Sequence, residues 1–95
     1  MHGYVLTDAA EADLRGIIRY TSAPWGQAQV RRYIAARLAA GEGPFKDLSA
    51  LYPALRMSQC MHDYVFCLPR EHAPSLIVAI LHERMDLMVR LAGRL

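Results

Sequence analysis

The longest apolar run in the chain extends from Leu76 to Leu81, and it is followed at once by His82, Glu83, Arg84 and Asp86. Six consecutive apolar residues, three of them Ile or Val, predict a strand that is buried on both faces. The polar side chains that follow would stand on a rigid support at the edge of the core. That position suits a functional site, and it also suits an ordinary strand exit.

Two more strands are predicted before this run, at residues 55–59 and 61–68, and the run itself extends the third to residues 75–82. The segment from Pro69 to Pro74 is the turn between the last two. Links this short require antiparallel pairing. A turn centred near residues 71–72 brings His62 opposite Leu81 or His82, so both histidines are expected at the same end of the hairpin.

Helical periodicity takes the place of strand patterns in the N-terminal half. After a short β-prone start at residues 4–6, apolar spacing predicts a helix over about residues 8–22 and a second helix that ends at Gly41. Thr7 or Asp8 is the expected N-cap, and Asp8 with Glu11 has the spacing of a capping box. Two helices joined this closely predict an antiparallel helical hairpin.

The remaining segments are a loop and a final helix. Residues 41–53 are expected to form a loop or short turn, anchored on the core by Phe45, Leu48 and Leu51. Asp86 can cap a last helix with an apolar side that includes Met88. The predicted fold is therefore α+β, one domain over residues 1–95, in which the helical hairpin packs on a small antiparallel sheet of the N-terminal strand and three C-terminal strands.

Composition narrows the class of protein only modestly. The chain is 54% apolar and 21% charged, and its formal net charge of +2 is too small to indicate nucleic-acid binding by itself. No apolar stretch approaches the about 20 residues that a membrane helix needs, and the N-terminus has no signal-peptide pattern, so we expect a cytoplasmic protein. Cys60 and Cys67 lack the paired spacing of zinc ligands. Their odd separation places them on opposite faces of a regular strand, as free thiols.

Several motifs, in their order and spacing, resemble the ParE branch of the ParE/RelE toxin superfamily. They are Tyr-x-Leu-Thr at residues 4–7, Asp-Leu-x-x-Ile-x-x-Tyr at 13–20, Trp-Gly at 25–26 with Gln29, the strand at 62–66, and Ile-Leu-His-Glu-Arg-Met-Asp at 80–86. The resemblance covers nearly the whole chain. It implies a toxin of a type II toxin-antitoxin module, made beside an antitoxin that binds and silences it.

The superfamily contains two activities, and the residues favour one of them. RelE-type toxins cut mRNA on the ribosome, which requires a base for the ribose 2′-OH, cations for the phosphorane and an acid for the leaving oxygen. The resemblance implies that RelE-type toxins have an Arg at the position of Val65 in this chain, directly after Tyr64, and a Tyr or His near the C-terminus. This chain has neither, since no Tyr or His follows His82. We therefore predict that the protein is not an enzyme, although Arg56, His62, His82 and Arg84 could still form a compact basic site.

For the ParE branch the resemblance implies poisoning of DNA gyrase, a binding activity that needs no catalytic group. The protein is then expected to require no cofactor or metal, to bind neither membranes nor specific nucleic-acid sequences, and to form a hetero-oligomer with an antitoxin that is partly disordered when free. Two alternatives stay open: a ribosome-dependent mRNA endonuclease of the RelE type, and a non-toxic family member that acts only in a complex. Candidate target contacts are Arg56, His62, Arg70, His82, Arg84, Arg90 and Arg94. Candidate antitoxin-groove residues, unless they are consumed in the hairpin's own core, are Leu14, Ile17, Ile18, Ile34 and Leu38.

Overall fold

The structure is a computed structural model, and it describes residues 3–16, 26–38, 45–60, 62–83 and 86–94. Four predicted site positions lie outside this description: Ile17, Ile18, Arg84 and the side chain of Leu38. Within the described ranges, no helix is long and apolar enough to cross a membrane.

The structure contains both of the predicted types of element, helices and strands. In chain order they are β1 (Tyr4–Leu6), α1 (Asp8–Gly16), α2 (Gly26–Tyr33) continued by π-helical turns (Ile34–Leu38), β2 (Lys46–Asp47), β3 (Arg56–Cys60), β4 (Asp63–Leu68), β5 (Ser75–His82) and α3 (Leu87–Ala92). The α+β class is thus confirmed. β2 is an addition, because the sequence indicated only a loop or turn there.

The strands form one sheet in the order β1-β5-β4-β3-β2. The three C-terminal strands pair antiparallel, as their short links require. β1, however, runs parallel to β5, so the sheet is mixed and the prediction of an all-antiparallel sheet was wrong. The direction of β1 was not fixed by a short link, because β1 and β5 lie far apart in sequence.

The β4–β5 hairpin contains a β-bulge that shifts its register by one residue. At the open end of the hairpin Asp63 is opposite His82, whereas beyond the shift Cys67 is opposite Ile77. Val78 is the extra residue, and it packs in the same core cluster as the adjacent Ala79. The sequence-based register, which placed His62 opposite Leu81 or His82, was therefore off by one or two positions, although both histidines do lie at the same end.

Each face of the sheet carries its own core cluster. α1 and α2 cover one face, where Leu14 and Ile34 meet the sheet residues Val65, Ile77 and Ile80. On the other face α3 contributes Leu91, which packs with sheet residues such as Phe66 and Leu81. As predicted, β5 is buried on both sides, because it lies inside the sheet and between helices.

The N-caps of α1 and α3 are ones that the sequence predicted, but the predicted capping box of α1 is absent. Asp86 caps α3, accepting a hydrogen bond from the Val89 amide at 3.4 Å. At α1 the cap is Thr7, whose hydroxyl accepts from the Ala10 amide at 3.1 Å. The capping box expected from Asp8 and Glu11 does not form, because the Glu11 carboxylate instead accepts a hydrogen bond from Arg31 of α2 at 2.8 Å.

The two cysteines are buried free thiols, as predicted. The expectation that they face opposite sides was wrong, since both belong to the cluster beneath α1 and α2. The two residues lie on different strands, β3 and β4, with a turn between them. The alternation of side chains along one continuous strand therefore does not determine the faces on which they lie. Burial raises the pKa of both thiols, which keeps them protonated and unreactive.

Three residues predicted to pack on the core are exposed. Phe45 and Leu51, expected as loop anchors, and Met88, assigned to the apolar side of the last helix, all carry substantial exposed surface. Leu48 alone of the expected loop anchors packs against the core. The loop is held mainly by backbone bonds, including one from the Leu48 amide to the Leu55 carbonyl at 2.9 Å.

Candidate interaction surface

A polar cluster lies where β4 begins and β5 ends. The imidazole rings of His62 and His82 are 6.3 Å apart between centroids, and His62 Nδ1 is 2.9 Å from Glu83 Oε1. The Glu83 amide also donates to the His62 carbonyl at 2.8 Å. The hairpin therefore brings together the two histidines that the sequence placed at one end, and it adds Asp63, which the sequence analysis did not single out.

Burial divides this cluster into two layers. His62 and Glu83 are exposed, whereas Asp63 and His82 are only 6% and 3% exposed. No described group donates a hydrogen bond to Asp63 Oδ1. Burial raises the pKa of the Asp63 carboxyl, Glu83 raises it further, and the neighbouring His82 and His62 offset part of the rise. A buried carboxyl oxygen without a hydrogen-bond donor lowers the stability of the fold.

Arg56 does not join the two histidines. It lies opposite Cys67, four positions along β4 from the Asp63–His82 pair, which is about 13 Å at a strand rise of about 3.3 Å per residue. Its guanidinium stacks over the Phe45 ring, 4.2 Å from the centroid. The compact basic site considered for a nuclease is therefore not assembled from Arg56, His62 and His82.

Arg94 has a structural role that the sequence did not predict. Its guanidinium forms a bidentate ion pair with Asp13 of α1, in which both contacts are 2.8 Å long. It also donates a hydrogen bond to the Val78 carbonyl at 3.1 Å. Asp13 in turn accepts from the Ile80 amide at 3.0 Å. β1 is short and pairs with only the first part of β5. The side chains of Asp13 and Arg94 hydrogen-bond to backbone groups of β5 beyond that part, where a longer β1 would otherwise pair.

The hydrogen bonds to Asp13 raise the pKa of Arg94, so its charge is fixed.

The remaining described candidates are distributed over different parts of the surface. His62 is exposed at one end of the hairpin, and Arg70 is exposed in the turn at the other end, where its Nε donates to the Pro74 carbonyl at 2.7 Å. Arg90 is exposed on α3, and no described carboxylate lies within ion-pair distance of it.

The proposed antitoxin groove is represented in the structure by two residues. Leu14 and Ile34 are fully buried in the core cluster between the helices and the sheet. In this conformation they belong to the hairpin's own core, which was the alternative interpretation of the same pattern.

An exposed apolar surface lies instead around α3. Leu51, Met88, Leu91 and Ala92 line a pocket of about 270 Å³, and we call these four residues the α3 patch. Leu51 is 46% and Met88 58% exposed, and the adjacent residues Tyr52 and Val89 are exposed as well. The sequence analysis missed this surface because it assigned Leu51 and Met88 to the core. The available signal was the width of the apolar stripe, since Leu87, Met88, Val89 and Leu91 cover more of a helix than one core contact can bury.

The described residues contain no group of three or more His, Cys, Asp or Glu side chains that could hold a metal ion. A mixed sheet with a helical pair on one face and a C-terminal helix on the other, with its polar residues spread over the surface, defines the class: a small α+β domain.

Comparison with known proteins identifies the branch. The sequence model of the family described as ParE toxin of type II toxin-antitoxin system, parDE, matches residues 4–87. A curated protein of Escherichia coli, Toxin ParE, is 71% identical over 101 aligned residues, which cover 100% of this chain and 98% of that protein. The chain therefore belongs to the ParE family of type II toxins. As a member of that branch it is a toxin and not an enzyme.

Proposed function

We propose that the protein arrests growth in the cytoplasm by binding DNA gyrase and that a cognate antitoxin neutralises it in a hetero-oligomer. The observation that carries this proposal is the family match, which spans residues 4–87 and so includes every element through the start of α3. A binding mechanism is also consistent with the scattered positions of the basic residues. A binding mechanism requires an exposed surface, but it does not require a group that transfers a proton.

The burial of the candidate contacts divides them into two groups. Arg70, Arg90 and His62 are exposed, and Arg56 is partly exposed, so their side chains are available to a partner. His82 is buried and Arg94 is committed to Asp13, so neither is available without rearrangement. We propose that target binding uses the exposed group. Arg side chains on such a surface favour contacts with carboxylates and phosphates, both of which a gyrase–DNA complex presents.

The nuclease alternative has less support. A ribonuclease needs its base, acid and cations within reach of one phosphodiester, whereas Arg56 lies about 13 Å along the sheet from His82, at a strand rise of about 3.3 Å per residue. His82 itself is 3% exposed. We therefore do not propose mRNA cleavage.

Inducible expression in a bacterial host tests the proposal, with plasmid topology and transcript ends measured after induction. Gyrase poisoning predicts lost negative supercoiling, trapped cleaved DNA and intact transcripts. Purified toxin is also expected to block supercoiling by purified gyrase. Cleavage within codons would contradict the gyrase proposal and restore the nuclease alternative. If expression causes no growth arrest, the remaining alternative is a non-toxic family member that acts only in a complex.

The exposed arginines provide the variants for this experiment. Arg70→Ala and Arg90→Ala are expected to weaken inhibition of gyrase, each by about 5- to 30-fold, because each removes a charged contact that contributes about 1–2 kcal/mol. The melting temperature of Arg90→Ala should stay unchanged, since no described carboxylate pairs with that side chain. Arg70→Ala should lower it slightly, because this change also removes the hydrogen bond from Arg70 Nε to the Pro74 carbonyl. Lys46→Ala is the matched control, because it removes an exposed cation outside the candidate group.

A further inference from the structure

β5 lies inside the sheet, but only part of its length has a strand on both sides. β4 pairs with it from Leu76 to His82, whereas β1 pairs with it only from Ser75 to Ile77. The last backbone bond on the β1 side joins the Thr7 amide to the Ile77 carbonyl at 3.1 Å. Among the described strands, β1 is the outermost on this side. The part of β5 that follows Ile77 is therefore itself an edge of the sheet.

The sequence at this edge is of a kind that pairs with copies of itself. The run Leu76–Leu81 contains no charged residue, no Pro and no Gly, and three of its residues are Ile or Val. Segments of about six or seven residues with this composition form the strand-to-strand contacts of protein aggregates. A second chain adds most easily where the edge of such a strand is open. The uncovered edge of β5 would therefore make the protein prone to self-association.

Two side chains cover this edge directly beyond the end of β1. The Ile80 amide donates a hydrogen bond to Asp13 Oδ2 at 3.0 Å, and the Val78 carbonyl accepts one from Arg94 Nη1 at 3.1 Å. A residue on a neighbouring strand would use the same two groups, because it donates to one carbonyl of its partner and accepts from the amide two positions further on. Asp13 and Arg94 together thus take the place of one strand residue.

The two covering side chains are bound to each other as well as to β5. Both contacts between the Arg94 guanidinium and the Asp13 carboxylate are 2.8 Å long. Asp13 belongs to α1, on one face of the sheet, and Arg94 follows α3, which packs on the other face. An incoming strand would have to break both contacts. The run Leu76–Leu81 of another molecule carries no charge that could replace either partner.

A β-bulge lies at the same place in β5. The register with β4 shifts at Val78, the residue whose carbonyl Arg94 binds. Bulges interrupt the ladder and increase the local twist, and they are one of the devices by which natural proteins protect sheet edges. Two independent features, the bulge and the Asp13–Arg94 pair, therefore act against further strand pairing at this part of β5.

We propose that the Asp13–Arg94 pair is an edge guard, which prevents β5 of one molecule from pairing with β5 of a second copy of this chain. The two strands would pair antiparallel, because a twofold axis places the same edge on both sides of the contact. Removing the pair uncovers one backbone donor and one acceptor on each copy, and the other copy can use both. The pair then has this role in addition to its contribution to stability, and neither the target nor the antitoxin enters the inference.

The test compares variants of the whole purified protein at the same fraction of unfolded chains, set by temperature, because unfolding by itself also promotes association. The double variant Asp13→Ala, Arg94→Ala uncovers the edge, and it is expected to lose monomer in size-exclusion chromatography with light scattering. Ile34→Ala is the matched control, since it truncates a fully buried side chain and leaves the edge of β5 covered. It should lose less monomer than the double variant does.

Hydrogen exchange of the Ile80 amide locates the contact. In the double variant this amide should lose protection at low protein concentration and regain it at high concentration, a dependence that a change in stability alone does not produce. The proposal is overturned if the double variant loses no more monomer than Ile34→Ala, or if it associates while the Ile80 amide stays unprotected. Arg94→Ala alone, which uncovers the Val78 carbonyl, repeats the chromatographic comparison if the double variant does not fold.

Discussion

Replacing Arg94 by Ala is expected to destabilise the fold, although the residue was first a candidate for target contact. The change removes two charged hydrogen bonds to Asp13, both at 2.8 Å, and one to the Val78 carbonyl at 3.1 Å. Asp13 would then retain only the Ile80 amide as a described hydrogen-bond donor. The perturbation therefore leaves a largely buried carboxyl group without its charged partner and the Val78 carbonyl without the donor that Arg94 supplies.

The burial of the pair sets the size of the effect. Exposed ion pairs contribute about 0–1 kcal/mol, whereas removing one partner of a fully buried pair costs about 3–5 kcal/mol. The side chains of Arg94 and Asp13 are 21% and 11% exposed, so the pair lies nearer the buried limit. We expect a loss of about 2–3 kcal/mol, which lowers the Tm of a domain of this size by about 10–20 °C.

Urea denaturation followed by circular dichroism measures this loss. Asp13→Ala and the double variant complete a double-mutant cycle, and their coupling energy is expected to be about 1–3 kcal/mol. Arg90→Ala is the matched control, because that exposed arginine has no described ion pair and its loss should change stability by less than about 0.5 kcal/mol. Additive effects of Asp13→Ala and Arg94→Ala would refute the reasoning.

Three further predictions concern stability. Burial raises the pKa of Asp63 above its ordinary 3.8, so folding favours the protonated form and the wild type loses stability as the pH rises from about 4 through the folded-state pKa. Asp63→Asn should therefore gain stability relative to wild type between pH 4 and 7 in urea titrations, and a relative loss would contradict this. Ala54 follows Pro53 and has a φ of 68°, in a turn in which the Leu55 amide donates to the Tyr52 carbonyl. This is the pattern of a type II turn, which favours Gly at the position of Ala54. Ala54→Gly should therefore raise the free energy of unfolding by about 0.5–1 kcal/mol in thermal melts. Thr7→Ala should cost about 1 kcal/mol through the lost α1 cap, with Thr7→Ser near wild type.

The elements that the sequence predicted well are those determined by local pattern. β5 follows from an unbroken apolar run, and the capping of α3 follows from Asp86 directly before Leu87. The meeting of His62 and His82 follows from the short turn between β4 and β5. In each case, neighbouring residues along the chain determine the outcome, so no knowledge of distant contacts is required.

The features that were missed depend on contacts between distant residues. The parallel pairing of β1 with β5 joins residues about 70 positions apart, and the Asp13–Arg94 pair joins residues 81 apart. Glu11 pairs with Arg31 on another helix, which overrides the local capping box. The bulge at Val78 has no marker such as Gly or Pro in the sequence, so a register derived from turn length alone could not include it.

These distinctions determine how a mutational scan of this toxin should be interpreted. A domain of 95 residues has a total stability of about 5–14 kcal/mol, so a loss of about 2–3 kcal/mol at Arg94 reduces the amount of folded toxin in the cell, and with it growth arrest, without touching a target contact. Arg90→Ala should reduce arrest at an unchanged Tm, because its side chain is exposed. Growth arrest alone would assign both arginines to the target surface. Measured beside Tm, it separates the arginine that completes the sheet edge from the one that is free to meet a partner.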